Sequence, residues 1–161
     1  MVTHLLAVGK LRPSLRPVCD DYLRRLRRYG PVEERELRES ARAPTTTQRR
    51  REETARIEAA LPPRATVVAL ELSGSLWSSE ELARRLDQWR GAAAPVALVI
   101  GGAFGLEPAF SAGVRFRWSL GPLTLPHELV RVIVLEQWYR AWTILRGEPY
   151  HKGTALTFLP P

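Results

Sequence analysis

Two apolar runs, Thr66–Leu72 and Pro95–Ile100, constrain the fold of this 161-residue chain more than any other feature. Both are apolar along most of their length, with Glu71 the one charge, and each is closed by small residues: Ser73-Gly74-Ser75 after the first, Gly101-Gly102 after the second. A strand apolar on both sides is covered on both sides, as in a parallel sheet flanked by helices. The rest of the chain supplies those helices. Thr3–Val8 reads as a strand closed by Gly9. Val18, Tyr22, Leu23, Leu26 and Tyr29 have helical spacing over Leu15–Tyr29, and Gly30-Pro31 ends that helix. Val32–Arg38 reads as a strand with Val32 and Leu37 facing in. Ala41–Thr47 is a loop, and Thr47–Ala60 a charged helix stopped by Pro62-Pro63. Ser78-Ser79-Glu80-Glu81 forms a capping box for a helix that reaches Trp89 and stops at Gly91. A short helix starts near Glu107-Pro108, a strand spans Phe116–Leu120, and a long helix spans Glu128–Leu145. Alternation of this kind predicts an α/β fold, a mostly parallel sheet with helices on both faces, in a single domain over residues 1–161.

Composition narrows the function classes. No stretch of about 18 apolar residues is present, so no membrane span is expected. The opening segment lacks the cationic start and cleavage site of a signal peptide, and the one cysteine, Cys19, sits in a helical pattern as a packing residue. The expectation is a cytoplasmic protein. The formal charge is +7, and residues 1–64 carry 15 Lys and Arg against 9 Asp and Glu. Clusters such as Arg24-Arg25, Arg27-Arg28 and Arg49-Arg50-Arg51 suit a polyanion such as RNA. Solvated helix faces in an arginine-biased chain are the competing account, since only two of the 24 cations are lysine.

Ligands of parallel sheets bind beyond the carboxyl ends of the strands. Three such ends stand out here: Leu70–Gly74, Gly101–Gly105 and Leu120–Pro126. Gly101, Gly102 and Gly105 allow close approach of main chain to a ligand. Their spacing is not the dinucleotide fingerprint, and the lysine of a phosphate-binding loop is missing. The segment Leu120-Gly121-Pro122-Leu123-Thr124-Leu125 is a proline-bounded loop whose amides and carbonyls suit a purine edge, with Leu123 and Leu125 as apolar walls. His4, His127 and His151 are too scattered for a metal site. His127 precedes the last helix as a cap, a packing residue or a site residue. Glu136 and Arg140 are either an ordinary i,i+4 pair or a charged pair facing a site on an otherwise apolar helix. That helix is apolar on more than one face, which points to a second subunit or to a position sandwiched within one. Tyr150-His151-Lys152 is either a frayed tail or an RNA contact in which rings stack on a base and the cation meets phosphate.

Taken together, these residues resemble the ribosomal RNA large subunit methyltransferase H family, within the SPOUT class of methyltransferases. The resemblance covers nearly the whole chain. It rests on Leu6-Ala7-Val8-Gly9-Lys10, Asp21-Tyr22, Leu70-Glu71-Leu72 before Gly74, Ile100-Gly101-Gly102 with Gly105-Leu106, Leu123-Thr124-Leu125-Pro126-His127, Arg131-Val132, Glu136, Tyr139-Arg140-Ala141 and Tyr150-His151-Lys152. It implies a C-terminal trefoil knot, a homodimer, and methyl transfer from S-adenosylmethionine to N3 of a pseudouridine in the 23S rRNA of the large ribosomal subunit. It also implies that Leu70, Gly101 and Leu120, Gly121, Pro122, Leu123, Thr124 and Leu125 hold the cofactor. Glu136, Arg140 and His127 are then candidates for the chemistry, and Tyr150, His151 and Lys152 for the RNA grip. Two features depart from the family: the extension Gly153–Pro161 and the arginine richness of Ala41–Ala60. A non-catalytic RNA-binding assembly factor is the alternative, and a nucleotide hydrolase is disfavoured by the missing phosphate loop and nucleophile.

Overall fold

A computed structural model describes residues 1–152. The extension Gly153–Pro161 lies outside the described residues. Five strands, β1 (Thr3–Val8), β2 (Val32–Leu37), β3 (Thr66–Leu76), β4 (Val96–Ile100) and β5 (Phe116–Ser119), alternate with helices. They form one sheet of order β2-β1-β4-β3-β5, and every neighbouring pair is parallel. The α/β expectation holds, and the strand apolar throughout, β4, lies at the centre, buried at all five positions.

The helices divide between the two faces. The first face carries α1 (Arg16–Leu26), α3 (Ser79–Gly91) and α5 (His127–Leu145). Their core side chains, including Leu23, Leu86 and Trp138, pack with Leu5, Val96 and Leu98. The opposite face carries α2 (Thr46–Ala60) and the short α4 (Pro108–Gly113), whose neighbourhood packs Ile57, Leu106 and Phe110 on Leu6, Val8 and Val99. Alternation along β1 and β4 thus feeds two separate cores, and the apolar runs of the sequence follow from that. The sheet order also explains why Val32 and Leu37 both face in: being five apart they point to opposite faces, Val32 into the first core and Leu37 into the second.

Four local expectations need correction. The helix α1 ends at Leu26, and Arg28 and Tyr29 close turns onto the Arg25 and Leu26 carbonyls rather than continuing it. The strand β3 does not stop at Leu72. It loops out after Leu70, which pairs with Trp118, and resumes at Ser75 opposite the same residue. Gly74 makes this bulge possible, because a Cβ there would meet the Arg117 and Trp118 main chain at 2.8 Å. Only half of the capping box forms: Ser78 Oγ accepts from the Glu81 amide at 3.1 Å, while the Glu81 carboxylate pairs with Arg85 at 2.6 Å. His127 is the first residue of α5, not its cap; Pro126 takes that position without a side-chain bond.

The start of α5 is fixed by one buried cation. Arg131 is fully buried. It donates to Glu34 (3.2 Å) and Glu36 (2.7 Å) on β2, and to the Gly9 carbonyl (2.8 Å) at the end of β1. Arg16 of α1 binds the same two carboxylates, both at 2.5 Å. The Glu36 carboxyl is pushed up by burial, but the Leu11 amide, Arg131 and Arg16 outweigh that and hold it below its ordinary 4.5. A neutral residue at 131 strips the carboxylates of one partner while Arg16 keeps the other. Arg131→Met is therefore expected to cost about 3 kcal/mol, at the low end for a broken buried pair. The check is the denaturant midpoint at unchanged slope; a loss under about 1 kcal/mol contradicts the anchoring role. The depressed Glu36 contributes stability that is present above pH 4.5 and is lost as the pH falls through the lower folded value. Glu36→Gln should lower stability at neutral pH, and its deficit against the parent chain should shrink as denaturation is repeated below pH 4.5. A pH-independent deficit contradicts this.

Candidate cofactor cavity and the C-terminal cluster

The carboxyl ends of β3, β4 and β5 enclose a cavity of about 540 Å³. Its wall consists of three segments: Leu70–Ser73 in the bulge of β3, Ile100–Leu106 after β4, and the loop after β5 with the start of α5. Parallel strands place their ends together on one side, and the chain must turn away there with main chain uncovered.

The turn after β4 is tight. Gly105 bonds back to the Gly102 carbonyl at 3.0 Å and has φ +74°. A Cβ on Gly101 would lie 2.7 Å from the Gly105 carbonyl carbon, so glycine at 101 is what lets the two arms of the turn touch. Beneath it, Thr54 of α2 accepts from the Glu107 amide at 3.0 Å. The turn thus rests on a helix of the opposite layer. The loop after β5 begins with Gly121 at φ +120°, where Ser119 Oγ accepts from the Gly121 amide at 3.2 Å. The N–H groups of Leu123, Thr124 and Leu125 engage no partner among the described residues. Leu123 is 72% exposed, a large apolar side chain at the mouth of the cavity. Unengaged donors and apolar walls suit a flat, neutral heterocycle better than a polyphosphate.

Of the eight residues expected to hold a cofactor, Leu70, Gly101, Leu120, Gly121, Leu123, Thr124 and Leu125 line this cavity. Pro122 is not among the lining residues and instead bends the loop between them. His127 lines it too, beside Val130 one turn on. Arg50 of α2 completes the wall and was not expected there, while Glu71 lies within the expected Leu70–Gly74 end but was not singled out as a site residue. The signal for Glu71 was its place directly after Leu70 at the end of a central strand. Its carboxylate accepts from Ser111 of α4. The signal for Arg50 was its spacing with Thr54 and Ile57, which puts all three on one face of α2.

Glu136 and Arg140 do not line the cavity. Glu136 lies six residues beyond Val130, roughly 9 Å further along the helix axis. There the two meet the C-terminal tail. Glu136 Oε1 accepts from Arg140 (2.5 and 3.0 Å) and from the Tyr150 hydroxyl (3.1 Å). The Arg140 guanidinium lies 4.8 Å over the Tyr150 ring and 3.4 Å from His151 Nδ1. His151 Nε2 lies 2.9 Å from Glu80 Oε1 on α3. Glu80 is held below its ordinary value by its own amide, Ser78 and His151. Burial, then Tyr22 and Glu136, raise the Tyr150 phenol well above its usual range, so it stays a neutral donor. The tail through His151 is therefore tied down rather than frayed, and Lys152 beyond it is exposed. The expected i,i+4 pair exists, but as the hub of a six-residue polar cluster of Tyr22, Glu80, Glu136, Arg140, Tyr150 and His151.

Among the described residues no group of three or more His, Cys, Asp or Glu is placed to hold a metal ion. No helix among them is long and apolar enough to cross a membrane.

Comparison with known proteins agrees with the geometry. Residues 1–151 match the sequence pattern of the family described as "Predicted SPOUT methyltransferase". The chain is 44% identical over 155 residues to the Ribosomal RNA large subunit methyltransferase H of Pseudomonas aeruginosa strain UCBPP-PA14, covering 94% of this chain and 100% of that protein. It is 43% identical over 156 residues to the protein of that name from Stenotrophomonas maltophilia strain R551-3, covering 95% and 100%. The counterpart in Stutzerimonas stutzeri strain A1501 is 42% identical over 155 residues, covering 94% and 100%. The chain belongs to the SPOUT methyltransferase family, and within it to the ribosomal RNA large subunit methyltransferase H group.

Proposed function

We propose that the chain is an S-adenosylmethionine-dependent methyltransferase acting on N3 of a pseudouridine in 23S rRNA, within the large subunit or the whole ribosome, and hence in the cytoplasm. The observation that carries this reading is the cavity at the ends of β3, β4 and β5. It is walled by two turns of main chain and offers the unengaged amides of Leu123, Thr124 and Leu125. The fit to an adenosyl group is good on shape and polarity. Trp118, Leu70, Val130 and Phe104 supply apolar surface, and Gly101, Gly102 and Gly105 let the main chain of the turn approach closely. When bound, S-adenosylmethionine supplies a methyl group already activated on a sulfonium.

The protein's task is then alignment, exclusion of water and disposal of one proton. The acceptor N3 is an imide N–H that must be deprotonated before or during attack. His127 and Glu71 are the side chains bordering the cavity that can take a proton, and His127 is the one in the sequence-expected set. Glu136 and Arg140 sit in the middle of α5 and Tyr150 and His151 in the tail packed on them, none lining this cavity, so in this reading they serve the cavity of a second copy. A two-fold pairing along α5 does that, with one subunit's tail completing the other's site. Leu129 at 39% exposure and Leu123 are the exposed large apolar residues at the start of α5 and on the loop before it, and are available for such a contact. Arg140 then offsets charge developing on the imide, and Lys152 with the basic N-terminal part grips phosphate.

Incubation with ribosomes lacking the modification and labelled S-adenosylmethionine should place label on one pseudouridine of 23S rRNA. Absence of transfer with intact RNA binding instead favours the non-catalytic assembly factor. Gly101→Val should abolish cofactor binding in calorimetry, because its side chain forces the 101–105 turn open; unchanged affinity refutes the turn's assignment. Sedimentation at micromolar concentration should give a dimer, and a monomer there removes the shared-site arrangement.

A further inference from the structure

The helix α2 carries a cation where its fold needs none. Its buried residues are Glu53, Thr54 and Ile57, with Ile57 fully buried against the second core, and Arg50 stands one turn before Thr54 on the same side. Helix stripes of this kind ordinarily carry apolar residues. Arg50 is half-buried, and its Nε is shielded from water with no partner. No hydrogen bond, ion pair or ring contact engages its side chain among the described residues. Its neighbours differ. Arg49 donates to the Ala43 carbonyl at 2.9 Å and lies 6.0 Å from the Phe104 ring centre. Arg51 is exposed. Arg56 donates to the Arg38 carbonyl and to Ser40 Oγ. Glu53, three residues on, accepts from the Ser40 amide at 2.9 Å and makes no ion pair with Arg50.

Arg50 lines the cavity. Partial burial of an unpaired guanidinium costs free energy unless a partner arrives. The remaining polar lining is sparse. Glu71 accepts from Ser111 through Oε1 while its Oε2 is shielded without a partner, and Ser73, Thr124 and His127 complete the polar lining. An adenosyl ligand with an amino-acid tail carries one anionic group, its carboxylate. We propose that Arg50 is the receptor for that carboxylate and selects amino-acid-bearing adenosyl ligands over those that lack it. The proposal rests on the cofactor assignment made above. It also separates Arg50 from the RNA-facing role of the surrounding arginines, and a planar guanidinium suits a carboxylate in two-point contact.

The test is calorimetry of the full chain with S-adenosylmethionine, its decarboxylated form and 5′-methylthioadenosine. Arg50→Met keeps helix propensity and bulk, and Arg50→Lys keeps the charge without the fork. Arg50→Met is expected to weaken S-adenosylmethionine by about ten- to a hundredfold while leaving the two carboxylate-free ligands unchanged. Arg50→Lys should recover part of the loss. An equal loss for all three ligands means a structural role and overturns the proposal. So does unchanged binding of all three, including the case in which only RNA affinity falls. If the parent chain binds none of the three, the cofactor assignment itself fails and takes the proposal with it. If the parent binds S-adenosylmethionine and Arg50→Met binds it equally well, the assignment stands and only the carboxylate receptor is lost.

Discussion

The buried guanidinium of Arg131 fixes the geometry on which the site depends. It joins the first turns of α5 to the end of β1 and to β2 on the sheet's outer edge. The loop after β5 runs directly into α5, so whatever holds the helix start also holds the loop over the ends of β3 and β4. A hydrophobic contact does this poorly, because it has no direction. A cation with a carbonyl and two carboxylates around it has one. A fully buried charge brings little net stability over a well-packed apolar side chain, and its use here is better read as positional.

The helix α5 then works as a ruler. Its first turn borders the cavity and its middle carries Glu136 and Arg140, which fasten the tail through Tyr150 and His151. Between these ends, Val134, Leu135 and Trp138 are buried against α1, α3 and the sheet, with Trp138 Nε1 donating to Thr3 Oγ1 at 3.2 Å. Much of the helix's second apolar face is thus satisfied inside one subunit. Ile133 stays partly open in the middle of the helix, and Leu129 with Leu123 of the preceding loop is exposed near the cavity. In the two-fold pairing proposed above, burying that end against a second copy would bring a tail toward a cavity.

The sequence made the sheet legible because β4 and β1 are buried on both sides, and two-sided burial leaves continuous apolar runs. The strand β2 was harder: Val-Glu-Glu-Arg-Glu-Leu carries its apolar residues at its two ends, one to each core, and two of its acids, Glu34 and Glu36, meet Arg16 and Arg131. No local signal shows that. The bulge in β3 was read as a strand end, since Gly74 looks like a terminator and its close approach to the Arg117 and Trp118 main chain is a tertiary fact. The main-chain turns that wall the candidate cavity were largely readable because glycine and proline report main-chain constraints directly. Glu71 and Arg50 were not, because a single charged residue in a strand or helix does not reveal its side of the element until the layers are assembled. The tail was visible as a motif, but its attachment to Glu136 and Glu80 needed the relative placement of α3 and α5.

The proposed activity stands on two main-chain turns, at Gly101–Gly105 and Leu120–Leu125, that together enclose an adenosyl group. Backbone amide resonances followed during titration with S-adenosylhomocysteine probe that enclosure residue by residue. The amides of Gly101, Gly105, Leu123, Thr124 and Leu125 are expected to move with a common saturation curve. Perturbation confined to the Tyr150–Lys152 tail or to the basic face of α1, with these five amides unmoved, would contradict it.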